Sequence, residues 1–280
     1  TVRARGAVRK SSGVVWGPGM DSYEALDPTG IRGLIFDIDD TVTRNGVLES
    51  GAYSAMHQLA DAGFLLVAVT GRPLGWTDLI ARLWPVRIAV GENGAGWAWV
   101  EGAEFHEGYF CSEEERSRHR ALFRSIEQAV GEAMPHVQQS SDHRARRCDL
   151  AFDVGESVAL PPEDVERLTS IIEAHGAACS VSTVHAHAVP GPWNKALGVV
   201  RAAQEVLGID LDDETERSRW VFVGDSGNDA AAFEYFANSV GVANVREQLH
   251  RLPVAPRFVT PSDRGLGFAE LASHLLSSRA

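Results

Sequence analysis

Asp37 and Asp39, two carboxylates two residues apart, close an apolar run that begins at Gly33. At a strand end the chain leaves the pleat, so both acids can face nearly the same way. Carboxylates gathered at a buried sheet edge are costly unless a cation joins them. A hard ion such as Mg²⁺ prefers oxygen ligands and keeps waters that a phosphate can replace. A second acidic loop, Gly224-Asp225-Ser226-Gly227-Asn228-Asp229, follows the apolar run Trp220 to Val223. Its glycines permit tight turns and close backbone approach. Thr70-Gly71-Arg72 ends a third run, Phe64 to Val69, and Pro73 behind it suits the first turn of a helix. Amides exposed at a helix start favour an anion. Lys195 stands at the head of another helical segment, where the dipole disfavours a cation unless an anion compensates it. Singly, each feature has a plainer reading: an acidic turn, a helix cap, a solvated lysine. A Ca²⁺-binding EF-hand reading of the first loop fails. Val42 sits where glycine is required and Leu48 where the bidentate glutamate belongs.

The elements that must position these residues alternate. Strand Gly33 to Ile38 is followed by a helix from Ser50 to Leu59, stopped by Gly63. A strand from Phe64 to Val69 and a helix to Trp84 come next, then a strand from Val86 to Val90. That order predicts a parallel sheet with right-handed crossovers, and its wholly apolar strands predict helices on both faces. Ligands bind at the carboxyl ends of such strands, where Asp37, Thr70 and Glu92 fall. The texture then changes. A hairpin is expected from Trp97 to Tyr109 around Glu101-Gly102, and Ser112 with Glu115 forms a capping box for a long helix. Strand Cys148 to Val154, a helix after Pro161-Pro162 and alternating strands from Ala178 to Val189 follow. Residues 95–189 therefore read as an inserted α+β domain. The α/β core would comprise 31–94 and 190–280, with its helix from Trp193, strand Trp220 to Val223, strand Ser239 to Val242 and closing helix from Phe268. Residues 1–30 read as a flexible extension, basic at first and without the apolar stretch of a secretion signal.

With 280 residues, 44% of them hydrophobic, the chain can bury one large or two modest cores. Its net charge of −12 makes nucleic acid and anionic membrane poor partners. Any anionic substrate must meet a locally positive point instead. Three cysteines, Cys111, Cys148 and Cys179, form no metal or disulfide pattern, which fits a reducing cytoplasm. The apolar runs are far shorter than the roughly 20 residues that span a bilayer. Oligomeric state is not encoded in any of these features.

In chain order the pattern is Asp37-Ile38-Asp39-Asp40-Thr41, Val69-Thr70-Gly71-Arg72, an isolated Lys195 before a helix, and Gly224-Asp225-Ser226-Gly227-Asn228-Asp229. It resembles the four motifs of the haloacid dehalogenase superfamily of phosphohydrolases. The insert between the second and third motifs, with Gly91-Glu92-Asn93-Gly94, is similar to the large-cap subgroup. That subgroup includes Cof-type, sucrose-phosphate, trehalose-phosphate and mannosyl-3-phosphoglycerate phosphatases. The resemblance implies a Rossmann-like three-layer parallel-sheet core with an inserted α+β cap, and a Mg²⁺-dependent phosphatase acting on a small phosphorylated metabolite, a sugar phosphate being favoured. Asp37 would attack phosphorus and Asp39 would serve as acid and base. Thr70, Gly71, Lys195 and Asn228 would hold the phosphate. Asp37, Asp39, Asp225 and Asp229 would form the Mg²⁺ site. Arg72, Glu92 and Asn93 would line the substrate cleft. Two positions depart from the pattern: Asp40 stands where glycine is usual in the first motif, and Ala196 follows Lys195 where glycine is common.

Within the insert, Trp97 and Trp99 are expected to pack the cap core rather than stack on a sugar. Arg144, Arg146 and Arg147 are expected on a solvated face. His185 and His187 share one strand face by the period of two and are expected at the cap surface rather than at a metal. The alternatives to hydrolysis are a phosphomutase of the phosphomannomutase type and a catalytically idle ligand- or partner-binding relative.

Overall fold

The computed structural model describes residues 19–250 and 252–279. The basic stretch read in the first eighteen positions lies outside the described residues. The rest of the expected flexible extension is bound to the core. β1 (Asp21–Ser22) joins the main sheet, and Met20 and Leu26 are buried.

β2 (Gly33–Phe36) is followed by a short hairpin, β3 (Thr43–Arg44) and β4 (Val47–Leu48), then α1 (Ser50–Asp61), β5 (Leu65–Val69), α2 (Leu74–Leu83) and β6 (Ile88–Gly91). β7 (Gly96–Glu101) and β8 (Glu104–Tyr109) form the expected hairpin, but it pairs antiparallel with β6 and extends the main sheet instead of opening the insert. Alternation marks any half-covered antiparallel pair and does not say which sheet the pair joins. Trp97 is accordingly buried in the main core rather than in the cap's, and Trp99 stacks on His106. The cap comprises α3 (Glu113–Ala133), β9 (Leu150–Asp153), α4 (Pro162–Ala174), β10 (Ala178–Val181) and β11 (His185–Val189). The capping box at the start of α3 forms in both directions between Ser112 and Glu115.

The core resumes with α5 (Lys195–Leu207), α6 (Glu214–Arg217), β12 (Trp220–Gly224), α7 (Ala230–Tyr235), β13 (Ser239–Gly241), α8 (Val245–Gln248), β14 (Phe258–Val259) and α9 (Arg264–Leu276). The acidic segment before β12 ends in the helical turn α6, and the closing helix begins four residues before Phe268. The nine-stranded sheet runs β1-β14-β13-β12-β2-β5-β6-β7-β8, parallel up to β6. In β2, Leu34 and Phe36 pack with α1 and α9 while Ile35 packs with α5 and α7. Both faces are buried, which is why the strands read as unbroken apolar runs.

In the cap, β10-β11-β9 form an antiparallel sheet. One face buries Phe152, Ala186 and Ala188 against Phe123, Ile126, Leu168 and Ile172 of α3 and α4. The alternate residues of β11, His185 and His187, therefore face the other way, toward the core.

Candidate active site

Asp37 leaves β2 and Asp225 leaves β12, its sheet neighbour, so parallel pairing sets the two acids side by side. The Asp37 amide donates to Val223 O at 2.9 Å and locks that register. Lys195 enters from the first turn of α5, whose start is capped by Asn194 accepting from the Leu197 amide at 3.0 Å. The helix approaches because Gly198 lies against the backbone of Gly94; a Cβ on Gly198 would stand 2.2 Å from Gly94 Cα.

Lys195 Nζ donates to Asp37 Oδ1 at 2.6 Å and to Asp229 Oδ1 at 2.7 Å, with all three side chains buried. One oxygen each from Asp37, Asp225 and Asp229 lies within 4.8 Å of the others. Burial pushes the Asp37 carboxyl up to about 8, with Asp229 and Asp39 adding to the shift and Lys195 opposing it. Burial and the neighbouring Asp37 and Asp229 also hold Asp225 well above the carboxylate range. Burial works against the Lys195 ammonium, but Asp229 and Asp37 outweigh it and keep it charged. Three buried acids thus share one ammonium, a deficit of positive charge that a divalent cation fits. Asp225 is aimed by Thr41 Oγ1 (3.3 Å) and Asn244 Nδ2 (3.0 Å). Asp229 is already engaged: Oδ1 holds Lys195, and Oδ2 accepts from the Asp225 and Ser226 amides.

Asp39 faces Arg72, which donates to both its oxygens through Nε and again through Nη2 at 2.8 Å. The same guanidinium reaches Glu156 of the cap at 2.6 Å. Thr70 lies at the end of β5 and its Oγ1 accepts from the Arg72 amide at 3.0 Å. Asn228 Nδ2 donates to Asn93 Oδ1 at 3.0 Å, tying the fourth loop to the turn after β6.

Glu92 departs from the expectation of a cleft residue. It is fully buried, and its two oxygens accept from the amides of Leu74, Arg147, Cys148 and Asp149. A carboxylate so saturated joins core to cap and has no side open to a ligand. Burial and Asp149 raise its carboxyl to about 7 against the pull of the amide donors.

The histidines also differ from expectation. His185 and His187 are each 1% exposed, and together with Ser182, Thr183 and Val184 they roof the space above Asp37, Asp39, Gly71, Ser226 and Asn228. The free volume enclosed is about 10 Å³, room for about one water. Sequence period gave their shared face correctly, but which face meets the core is decided by helices α3 and α4 covering the other. Arg146 is likewise not solvated: its side chain is 2% exposed and donates to Asp142, Asp149 and the Gly71 carbonyl. Arg144 is exposed as expected, and Arg147 is half-exposed beside Glu107.

Asp40 adopts φ +55°, a left-handed conformation that glycine takes without cost, which accounts for the usual residue there. Its carboxylate is used in exchange, accepting from Arg264 Nε at 2.9 Å. Sequence reading missed Asn244, Asp149 and Glu156. Asn244 carried a signal, an amide just beyond the apolar stretch ending at Val242. Asp149 and Glu156 carried none, because their partners come from distant segments.

No family model matches the chain. Among proteins of known name, a phosphoglycolate phosphatase of Pyrobaculum neutrophilum is 31% identical over 90% of this chain and 98% of its own. Among solved structures, the sucrose-phosphatase of Synechocystis, determined with sucrose and phosphate, aligns with a TM-score of 0.61. It shares 20% identity and covers 88% of this chain and 98% of its own. A sugar phosphatase of HAD subclass IIB aligns with a TM-score of 0.57 at 18% identity, over 87% of this chain and 98% of its own. No helix among the described residues is long and apolar enough to cross a membrane. With a parallel sheet that gathers four motif loops at one edge, a cap inserted between the second and third, and a relative matched along nearly its whole length, the chain belongs to the haloacid dehalogenase superfamily of phosphatases.

Proposed function

We propose that the chain is a Mg²⁺-dependent phosphatase in which Asp37 is the nucleophile, acting on a short phosphate monoester that carries a carboxylate, such as phosphoglycolate. The observation that carries the site assignment is the buried Lys195 bridging Asp37 and Asp229, beside Asp225, at the ends of β2 and β12.

An Asp37 oxygen attacks phosphorus and the bond to the leaving oxygen breaks as Asp39 gives that oxygen a proton. Asp39 then takes a proton from water, the water oxygen attacks phosphorus, and the Asp37 carboxylate is released. Lys195, Thr70, the Gly71 amide and Asn228 hold the transferring oxygens, and Arg72 orients Asp39. Asp37, Asp225 and the Asp39 carbonyl would hold Mg²⁺, with Asp229 steadying Lys195. The ion supplies charge neutralisation between carboxylate and phosphate dianion.

One observation supports the substrate class. The curated relatives, 31% and 24% identical, are both phosphoglycolate phosphatases. Sugar phosphates, favoured from sequence, form the comparison arm of the test. Purified protein with Mg²⁺ is assayed for phosphate release from phosphoglycolate, sugar phosphates and ethyl phosphate, without any bisphosphate activator. The expected result is release from all, with the highest kcat/KM for phosphoglycolate. Release only when a sugar bisphosphate is added would identify a mutase, and no release from any ester would sink the proposal.

A further inference from the structure

The cap contributes one side chain whose arrangement the phosphoryl chemistry leaves unexplained. His187 Nδ1 lies 2.8 Å from Asp149 Oδ2. Asp149 is fully buried and accepts Arg146 Nη1 at 3.0 and 3.2 Å. Burial works against the Asp149 charge, but Arg146 and His187 together hold it below the usual carboxylate range. An ionised Asp149 fixes the tautomer: Nδ1 carries the proton and donates it to the carboxylate, so Nε2 is the bare nitrogen. That nitrogen points at the phosphate-binding turn. A Cβ on Gly71 would stand 3.0 Å from it, and Asp37 and Asp39 lie across the same enclosed space.

No lysine or arginine of the cap lines this space among the described residues. Arg146 is behind Asp149, and Arg72 is spent on Asp39 and Glu156. His185 sits edge-on to His187 at 5.7 Å and is turned to Glu156 at 3.1 Å. Beside the neutral hydroxyls of Ser182 and Thr183, a leaving group that brings its own negative charge therefore meets one roof group, not already turned to a carboxylate at its inner nitrogen, that can become a cationic donor. Resting on the reading of Asp37 as the phosphate-accepting centre, we propose that His187, positioned by Asp149, is the residue that receives a carboxylate on the leaving group, and that such an ester binds together with one proton taken up at His187 Nε2.

The uptake balances as one proton from solvent and one new Nε2–H···O bond, with the Nδ1–H···Asp149 bond unbroken. Without ligand the imidazole is neutral. Burial pushes it down to about 4, with Arg146 and His185 adding to that shift and Asp149 opposing it. The groups that bear on it are Asp149, Arg146 and His185 on the cap, and Asp37, Asp39 and Arg72 across the cavity. A carboxylate against Nε2 adds the missing anion and favours the charged form.

The test uses wild-type enzyme with Mg²⁺ and two unreactive phosphonates. One is 3-phosphonopropionate, the methylene isostere of phosphoglycolate, and the other is propylphosphonate, which lacks the carboxylate. Binding is measured calorimetrically at pH 6 in two buffers of different ionisation enthalpy. The carboxylate ligand is expected to take up most of one proton more than its partner, and no difference overturns the proposal. In parallel, His187→Asn is expected to lower the ratio of kcat/KM for phosphoglycolate to that for ethyl phosphate by about 30-fold or more, mainly through KM. Asp149→Asn should lower the same ratio in the same direction. An equal loss on both esters would make His187 a packing residue and overturn the inference while leaving the phosphatase reading intact. Wild-type enzyme that hydrolyses neither ester removes both.

Discussion

The floor of the site and its roof are built from different kinds of sequence. The floor comes from loops at the ends of adjacent parallel strands, where Asp37, Thr70 and Asp225 are delivered by sheet register and Lys195 by a helix start. The roof comes from alternate positions of an ordinary antiparallel strand, His185 and His187, backed by Asp149 and Glu156. Strand-end loops can be dense in acids because the sheet beneath them is rigid and apolar. A strand can present functional side chains only every second residue, since the residues between them must form the cap core. On the proposed reading, reaction chemistry thus sits on the sheet-end loops and substrate recognition on the cap strand.

The comparison can be broken at several points. Asp37→Asn should lower kcat by about 10⁴-fold or more while circular dichroism stays unchanged, because the floor cannot replace its nucleophile. Near wild-type turnover would show that Asp37 is not the reacting group. Chelation with EDTA should reduce turnover by about 10³-fold, and adding back Mg²⁺ should restore it. Turnover that survives chelation would leave the acid cluster without its cation. Arg72→Ala, which cuts the tie between Asp39 on the floor and Glu156 on the roof, should reduce kcat by about 10- to 100-fold. Rescue by Arg72→Lys should be partial, since lysine cannot make the paired contacts to Asp39.

Two stability measurements sharpen the same contrast. Leu168→Ala in the cap core should cost about 2–5 kcal/mol in denaturant unfolding. If floor and roof are separate cores, it should leave the protection of β2 and β12 amides from hydrogen exchange almost unchanged. The smallest expected effect concerns pH. His187 has an ordinary value of 6.5 and is held near 4 in the fold, so between those values the unfolded chain binds more protons. Stability should then rise with pH across that window, by about 1–3 kcal/mol attributable to this group. His187→Asn should flatten that slope, measured as unfolding free energy at pH 4.5 and 7; an unaltered slope assigns it to other groups.

The floor was largely legible in the sequence because Asp37, Thr70 and Asp225 each follow an apolar run, with register doing the rest, and because Lys195 heads a helical segment. Asp37, Thr70, Lys195 and Asp225 could be assembled without coordinates for that reason. Glu92 was legible as a strand-end residue but not in its use, since its four amide donors come from two segments more than fifteen residues away in either direction. The hairpin of β7 and β8 shows the same limit: its pairing could be read, its sheet could not. Arg146 looked like one of a solvated trio because nothing in a local triplet marks which member will find Asp142, Asp149 and the Gly71 carbonyl.

Glu92 has a mechanical meaning. Four main-chain amides on one enclosed carboxylate, three of them from Arg147, Cys148 and Asp149, pin that stretch to the core, and pulling it free would strand a charge without solvent. If the cap opens to admit substrate, this pin makes a swing about Glu92 the expected motion rather than a lift. In such a swing the turn at Ser182 to Val184 would travel most and the neighbourhood of Glu92 least. A spectroscopic label at Thr183 would report the gate, and one at Arg147 would report the axle.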